Sequence, residues 1–183
     1  MIYGFIKSKL TGKESKFKTE KQNLPKEFKY KLPKVLDQGA KPICTACASH
    51  AFLNWEYHKD FNLDTIFKNS KPQKEGAELK NVFEYLKFQK LINDYAIIGS
   101  EHALKTAILL NGPCIGALPV YNNSETFWKG SSLQGGHAIA ITGWNDEGFI
   151  IRNSWGTFWG NNGYTILSYE DFNKFLELWT LIK

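Results

Sequence analysis

The chain has 183 residues, 43% hydrophobic and 15% aromatic, enough to bury the core of one domain, which excludes a disordered or fibrous protein. Its formal charge of +5 would suit an acidic polymer, but residues 1–34 hold ten lysines against three acids and the remaining 149 residues are net −2. Arg152 is the sole arginine beside 22 lysines, so the bidentate donor for phosphate and guanine is nearly absent and no nucleic-acid partner is expected.

Residues 1–23 are polar and Lys-rich after the opening MIYGFIKSKL, and read as a solvated tail, an edge strand or a short pro-segment. That opening lacks the apolar core of a secretory signal, and no run is long enough to span a bilayer. Three cysteines are too few for a disulfide framework. A cytoplasmic location is therefore expected, with no membrane partner; a viral source would allow the host cytoplasm or a virion.

From Leu24 the signals become those of a folded domain, residues 24–183. Pro25, Pro33 and Pro42 punctuate an extended stretch, and Cys44, Cys47, Ala48, Ala51 and Trp55 then recur at helical spacing as far as His58. Further helices are predicted over Ala77 to Phe88 and over Glu101 to Leu110, the latter capped by Ser100 and stopped by Asn111-Gly112-Pro113. After Pro113 the period becomes that of strands: Cys114 to Val120, His137 to Trp144, Phe149 to Asn153 and Gly163 to Leu167, with a hairpin turn at Asn145 to Gly148. The expectation is an α+β fold of two lobes, 24–110 mainly helical and 111–183 mainly β, with a cleft between them.

The chemistry centres on LDQGAKPICTACASHAF, residues 36–52. A thiolate is favoured at a helix N-terminus by unpaired N–H groups and the helix dipole, and Cys44 stands where the helix should begin, with Cys47 one turn further in. Such a nucleophile needs a histidine to take and return a proton. His50 and His58 lie on the nucleophile's own helix and His102 on an ordinary amphipathic one. His137 instead follows Gly135-Gly136, which removes side chains beside it, and begins a rigid strand. Sixteen residues on, Asn153 ends the partner strand, where its amide oxygen could orient the imidazole. The competing uses of C-x-x-C are half a zinc site, which lacks a second ligand pair, and a thioredoxin-like redox pair, which lacks a surrounding βαβ sheet. No metal or cofactor is expected.

The segment GGHAIAITGWNDEGFIIRNSWGTFWGNNGY, residues 135–164, resembles the papain-like cysteine peptidases, whose pattern is GGHA…NSWGxxWGxxGY. DQG at 37–39, EGA at 75–77, NGPCIGALPVY at 111–121 and SYEDF at 168–172 extend the likeness to most of the chain after Leu24, in the style of compact microbial or viral members. The resemblance implies a papain-like fold in which the helical lobe's buried helix starts at the nucleophile and the other lobe is an antiparallel sheet or barrel. It places the nucleophile at Cys44, six residues after Gln38, rather than at Cys47. It implies that Gln38 and the Cys44 N–H bind the oxyanion, that His137 is oriented by Asn153 under the cover of Trp155, and that Gly76 and Gly136 border the bound substrate, Gly76 pairing with it as a strand would. Cys47 and Cys114 become buried hydrophobes.

Two departures bear on this. Only 93 residues separate Cys44 from His137, against ~130 in papain-type enzymes, so loops that line subsites are missing. Pro42-Ile43 replaces the usual Gly-Ser. The expected function is a monomeric cysteine endopeptidase acting on peptide or protein substrates through an acyl-enzyme. The alternatives are a papain-fold binding or structural protein without turnover, and an acyl-enzyme transferase. The Lys-rich segment could also lie along the cleft by charge attraction and slow substrate entry, an effect that salt would screen.

Overall fold

The structure, a computed structural model, describes residues 4–20 and 22–183. Ile2, part of the predicted N-terminal strand, lies outside them. The Lys-rich beginning is not a free tail: β1 (Phe5–Ile6) and β2 (Phe28–Lys29) tie it to the body, and Ser15 to Phe17 bond to Ile97 between them. The central element is α1 (Cys44–Tyr57), in which every residue from Cys44 to Asn54 is buried. A helix enclosed on all sides must satisfy its polar side chains internally. Ser49 accordingly donates to the Thr45 carbonyl, and Asn54 to Lys59 and Asp60. His58 ends it in the left-handed conformation with φ 51°, returning its N–H to Asn54.

The short α2 (Leu63–Asn69) follows, capped by the Asn62 side chain. Seven residues are too few for a helical period to show in the sequence, and this helix was not predicted. Strand β3 (Ala77–Glu78) then delays α3 (Leu79–Phe88), which starts two residues after the predicted point because Ala77 and Glu78 pair with β1 in parallel.

The remaining elements are β4 (Asp94–Ile97), α4 (Glu101–Asn111), β5 (Cys114–Val120), β6 (Gly135–Trp144), β7 (Gly148–Arg152), β8 (Tyr164–Ser168), a 3-10 helix (Tyr169–Lys174) and β9 (Glu177–Ile182). As expected, Ser100 caps α4, its hydroxyl accepting from Ala103 N–H. The strands form one antiparallel sheet in the order β4-β9-β5-β6-β7-β8, with β2 added on β6. Between a sheet and a barrel, the chain makes an open sheet, ending at β4 and β8. Strands β4 and β9 were not foreseen; five of the six residues of β9 are buried, so it shows none of the alternation that betrays a half-exposed strand.

Alternation across the sheet sorts the core into two parts. Ile115, Ala117 and Ala138 face α1 and α3, whereas Leu118, Val120, Ile139 and Ile141 face α4. Ala48 and Ala138, small side chains on facing elements, let α1 come close to β6, and this approach brings the first residue of α1 to the site. Arg152 is buried and donates from Nη2 to the carbonyls of Pro33 and Lys34, fixing the irregular stretch that leads to Gln38. Arg152→Ala is expected to cost about 2 kcal/mol in denaturant unfolding, because both carbonyls lose a charged donor.

Candidate active site

Cys44 is the first residue of α1 and is fully buried. Its Sγ accepts from the main-chain N–H of Ala138 at 3.4 Å, and also from that of Gly4. His137 stands on β6, opposite Leu118 of β5 and one residue before Ala138, so the thiol and the imidazole belong to adjoining positions. The hairpin of β6 and β7 carries Asn153 back to it, with Oδ1 2.7 Å from His137 Nε2. Bonding through Nε2 leaves Nδ1, which has no hydrogen-bond partner, as the nitrogen able to exchange a proton with a thiol. The Trp155 ring lies over His137, with centroids 4.7 Å apart and an interplanar angle of 32°, and Phe127 meets it edge-on at 5.7 Å. These aromatics shield the imidazole–amide contact from water.

Gln38 is held from both ends of its amide: Oε1 accepts from Ser154 Oγ at 2.6 Å and Nε2 donates to the Lys41 carbonyl at 2.9 Å. A primary amide has two N–H donors, so one remains for an oxyanion. Ser154 also donates its N–H to Asn153 Oδ1 at 2.7 Å, and so positions two site residues at once. Sequence reasoning missed it, although it sits inside the NSWG run; its role depends on Gln38, 116 residues away. Gln38→Ala is expected to lower kcat by about 10² to 10³ with KM little changed, as loss of one oxyanion donor does. A steady-state assay giving a value within threefold of the parent would remove Gln38 from the reaction.

Cys47 is 2% exposed, its thiol pushed up to about 12 by burial and by the charge of Cys44, and its neighbours are Arg152 and Ser154. It faces the interior, as does Cys114. His50 lies against Asp60 at 3.5 Å, His58 caps α1, and His102 is exposed on α4, whereas His137 is next in the chain to the residue whose N–H meets the Cys44 thiol.

The cleft is filled by the chain's own beginning. Gly4 accepts from Ala77 N–H through its carbonyl at 2.9 Å while its N–H points at the thiol. A Cβ on Gly4 would stand 2.1 Å from the Pro42 carbonyl oxygen, and one on Gly76 2.0 Å from the Gly4 oxygen. Gly76 closes a turn with Gln73 and so borders this strand rather than starting a helix. Gly136 presents its bare backbone to the Phe5 ring, 2.4 Å from where a Cβ would stand. Beyond them, Ser8 and Lys9 bond to Glu177 and Glu78, and Glu14 pairs with Lys80, whose ammonium holds that carboxyl well below the usual range. The lysines at 7, 9 and 13 are exposed, so backbone pairing and buried contacts hold the segment; it is neither the solvated tail nor the strand attracted by charge that the composition allowed.

Enclosure decides the protonation of the pair. Burial pushes the Cys44 thiol up to about 11, against the smaller opposing effect of the N–H donors, and pulls His137 down to about 4, against the Asn153 bond. Both shifts favour the neutral form of the group. Burial thus favours the uncharged forms while the segment is in place, and the thiolate–imidazolium pair is favoured once water reaches the two groups.

Residues 50–175 match the family described as papain family cysteine protease. A cathepsin B-like cysteine proteinase of Haemonchus contortus is 32% identical over 80 residues, which cover 38% of this chain and 23% of that protein. A peptidase C1-like protein of Acanthamoeba polyphaga mimivirus is 29% identical over 153 residues, covering 74% of this chain and 46% of that protein. The chain thus spans from about a quarter to under a half of the length of the curated relatives it matches. In fold it is similar to xylellain, a cysteine protease from Xylella fastidiosa, with a TM-score of 0.83, 19% identity and coverage of 99% of this chain and 96% of that one.

Proposed function

The chain belongs to the papain family of cysteine proteases, and from that premise we propose that it hydrolyses peptide bonds with Cys44 as nucleophile. The observation that supports this is a helix-start thiol bonded to the N–H next to His137, together with an imidazole fixed by Asn153 and an amide fixed by Ser154. In the open form, water reaches the pair and the proton passes from Cys44 Sγ to His137. The thiolate adds to a substrate carbonyl, and the oxyanion is held by Gln38 Nε2 and the Cys44 N–H at the start of α1. His137 returns its proton to the leaving amine. It then takes a proton from water, whose attack releases the acid and restores the thiol. Asn153 keeps Nε2 engaged throughout, and Trp155 shields that bond. Gly76 and Gly136, which now border the N-terminal strand, would border a peptide substrate in the same place.

The substrate is an extended peptide or protein segment, because the same place already accommodates a strand of this chain. In the closed form the segment from Gly4 to Lys9 keeps substrate out. Incubation of the opened protein with a diverse peptide mixture, followed by mass spectrometry of the products, tests the reading. Hydrolytic fragments that vanish in Cys44→Ala support it. Binding without cleavage supports a papain-fold binding protein instead, and amine adducts a transferase.

A further inference from the structure

The C-x-x-C run has one thiol that the reaction leaves unused. Cys44 is the first residue of α1 and Cys47 the fourth, so the pair spans the first turn of the helix, and both thiols are free and buried. Side chains on a helix lean towards its N-terminus, which turns Cys47 back towards the turn that Cys44 begins. Cβ atoms three residues apart on a helix are about 5–6 Å from each other and a disulfide needs about 3.5–4.5 Å, so the pair has about 1–2 Å to close. The first turn is where such a movement breaks fewest backbone bonds. Ile43, just before it, lies outside the helical region at φ −109° and ψ 20°, supplies no side-chain cap, and accepts from Cys47 N–H at 3.0 Å. Burial raises the Cys47 thiol first and the charge of Cys44 next, so the two groups are within electrical reach, while the Arg152 guanidinium pulls the other way. Arg152 and Ser154 line the same void as Cys47, and the buried Arg152 Nε has no hydrogen-bond partner among the described residues. A buried cationic donor left over beside a thiol can stabilise it as the anion, the form in which it attacks.

We propose that Cys47 is a resolving thiol, which forms a reversible disulfide with Cys44 when a peroxide oxidises the nucleophile of the open protein. The Cys44 thiolate attacks one peroxide oxygen, the O–O bond breaks, and the departing hydroxide takes the proton held by His137, which leaves a sulfenic acid on Cys44 and one water. Cys47 Sγ then attacks Cys44 Sγ. The S–S bond forms, the S–O bond breaks, and the hydroxide leaves with the Cys47 proton as a second water. The two thiols have together given two electrons to the peroxide, and a dithiol reductant restores both by exchange. The disulfide takes the nucleophile out of turnover and keeps it from the irreversible sulfinic acid. This inference rests on Cys44 being the reactive thiol of the peptidase reading.

The test uses the full chain opened by Gly4→Val, with Phe5→Asp, which puts a charge against Gly136, as a second opener should Gly4→Val not fold. After a small excess of hydrogen peroxide at pH 7, mass spectrometry should find the tryptic peptide that holds both cysteines lighter by a pair of hydrogens. Dimedone, which traps sulfenic acids, should leave no adduct on Cys44. Peptidase activity should fall about tenfold or more and return to within about twofold of its start after dithiothreitol. With Cys47→Ala added, dimedone should label Cys44, longer exposure should bring the sulfinic acid, and dithiothreitol should restore less than about a tenth of the activity. Sulfinic acid on Cys44 at the same rate with and without Cys47 overturns the inference, as does a disulfide from Cys44 to Cys114 or to a second molecule. The mass measurement needs no substrate, so the two readings fail separately. A Cys44–Cys47 disulfide in a protein that cleaves nothing would sink the peptidase reading alone, and irreversible oxidation of an active protease would sink the resolving role alone.

Discussion

Cys44→Ala is expected to lower kcat by about 10⁶, as removal of a catalytic nucleophile does, while the protein stays folded. Cys47→Ala should retain turnover and lose about 1 kcal/mol of stability for a small buried side chain. The contrast follows from where the two thiols lie. Cys44 receives main-chain N–H groups at the start of α1 and adjoins His137, whereas Cys47 is one turn deeper against Arg152 and Ser154. Both substitutions are to be assayed in the opened chain, with circular dichroism as the check on folding. A folded Cys47→Ala without activity beside an active Cys44→Ala would reverse the assignment.

Gly4→Val in the full chain is expected to raise the rate of Cys44 alkylation by iodoacetamide at pH 7 by about 10² to 10⁴. With the thiol at about 11 in the closed form, only about one molecule in 10⁴ is thiolate at pH 7. An ordinary exposed thiol has a few per cent, and one paired with an imidazolium is nearly all thiolate. The substitution acts by sterics, since the added Cβ would lie 2.1 Å from the Pro42 carbonyl oxygen and the short strand β1 is easier to displace than the loop that leads into α1. The sign with pH is fixed by the same shift. In the parent chain the labelling rate should climb about tenfold per pH unit from 7 towards 10 as the thiolate fraction grows, whereas in Gly4→Val it should climb less and level off before pH 10. The kcat/KM for peptides should rise in the variant as well, and added salt should change the difference little, because the segment is held by strand pairing and buried carboxylates. Equal labelling of the two proteins across that pH range would show that the segment does not guard the thiol.

Much of the reactive site was legible in the sequence because its signals are local. The run from Gly135 to Tyr164 holds both His137 and Asn153 on one hairpin, and the hairpin's register brings them to 2.7 Å. Helix α1 announced itself through its period and α4 through its period and the Ser100 cap, and β5 and β6 through continuous apolar runs. The strands and helix that went unread, α2, β2, β3, β4 and β9, are short or buried on both faces, and a short element carries too little period to separate from its flanks.

Local patterning could not determine contacts between residues far apart in the chain. Nothing near Ser8 or Glu177 indicates that they bond across 169 residues, or that Ser154 would steady Gln38 from 116 away. The lysine-rich composition read first as a solvated tail or an edge strand, but the structure leaves those lysines in water and seats Gly4 and Phe5 where only the bare backbones of Gly76 and Gly136 admit them. The sequence by itself determined which groups can do the chemistry, because thiol, imidazole and amide are properties of residue type and local spacing. Whether those groups are charged or neutral, open or covered, was decided only by tertiary structure, because burial and the pairing of distant strands set the water around Cys44 and His137.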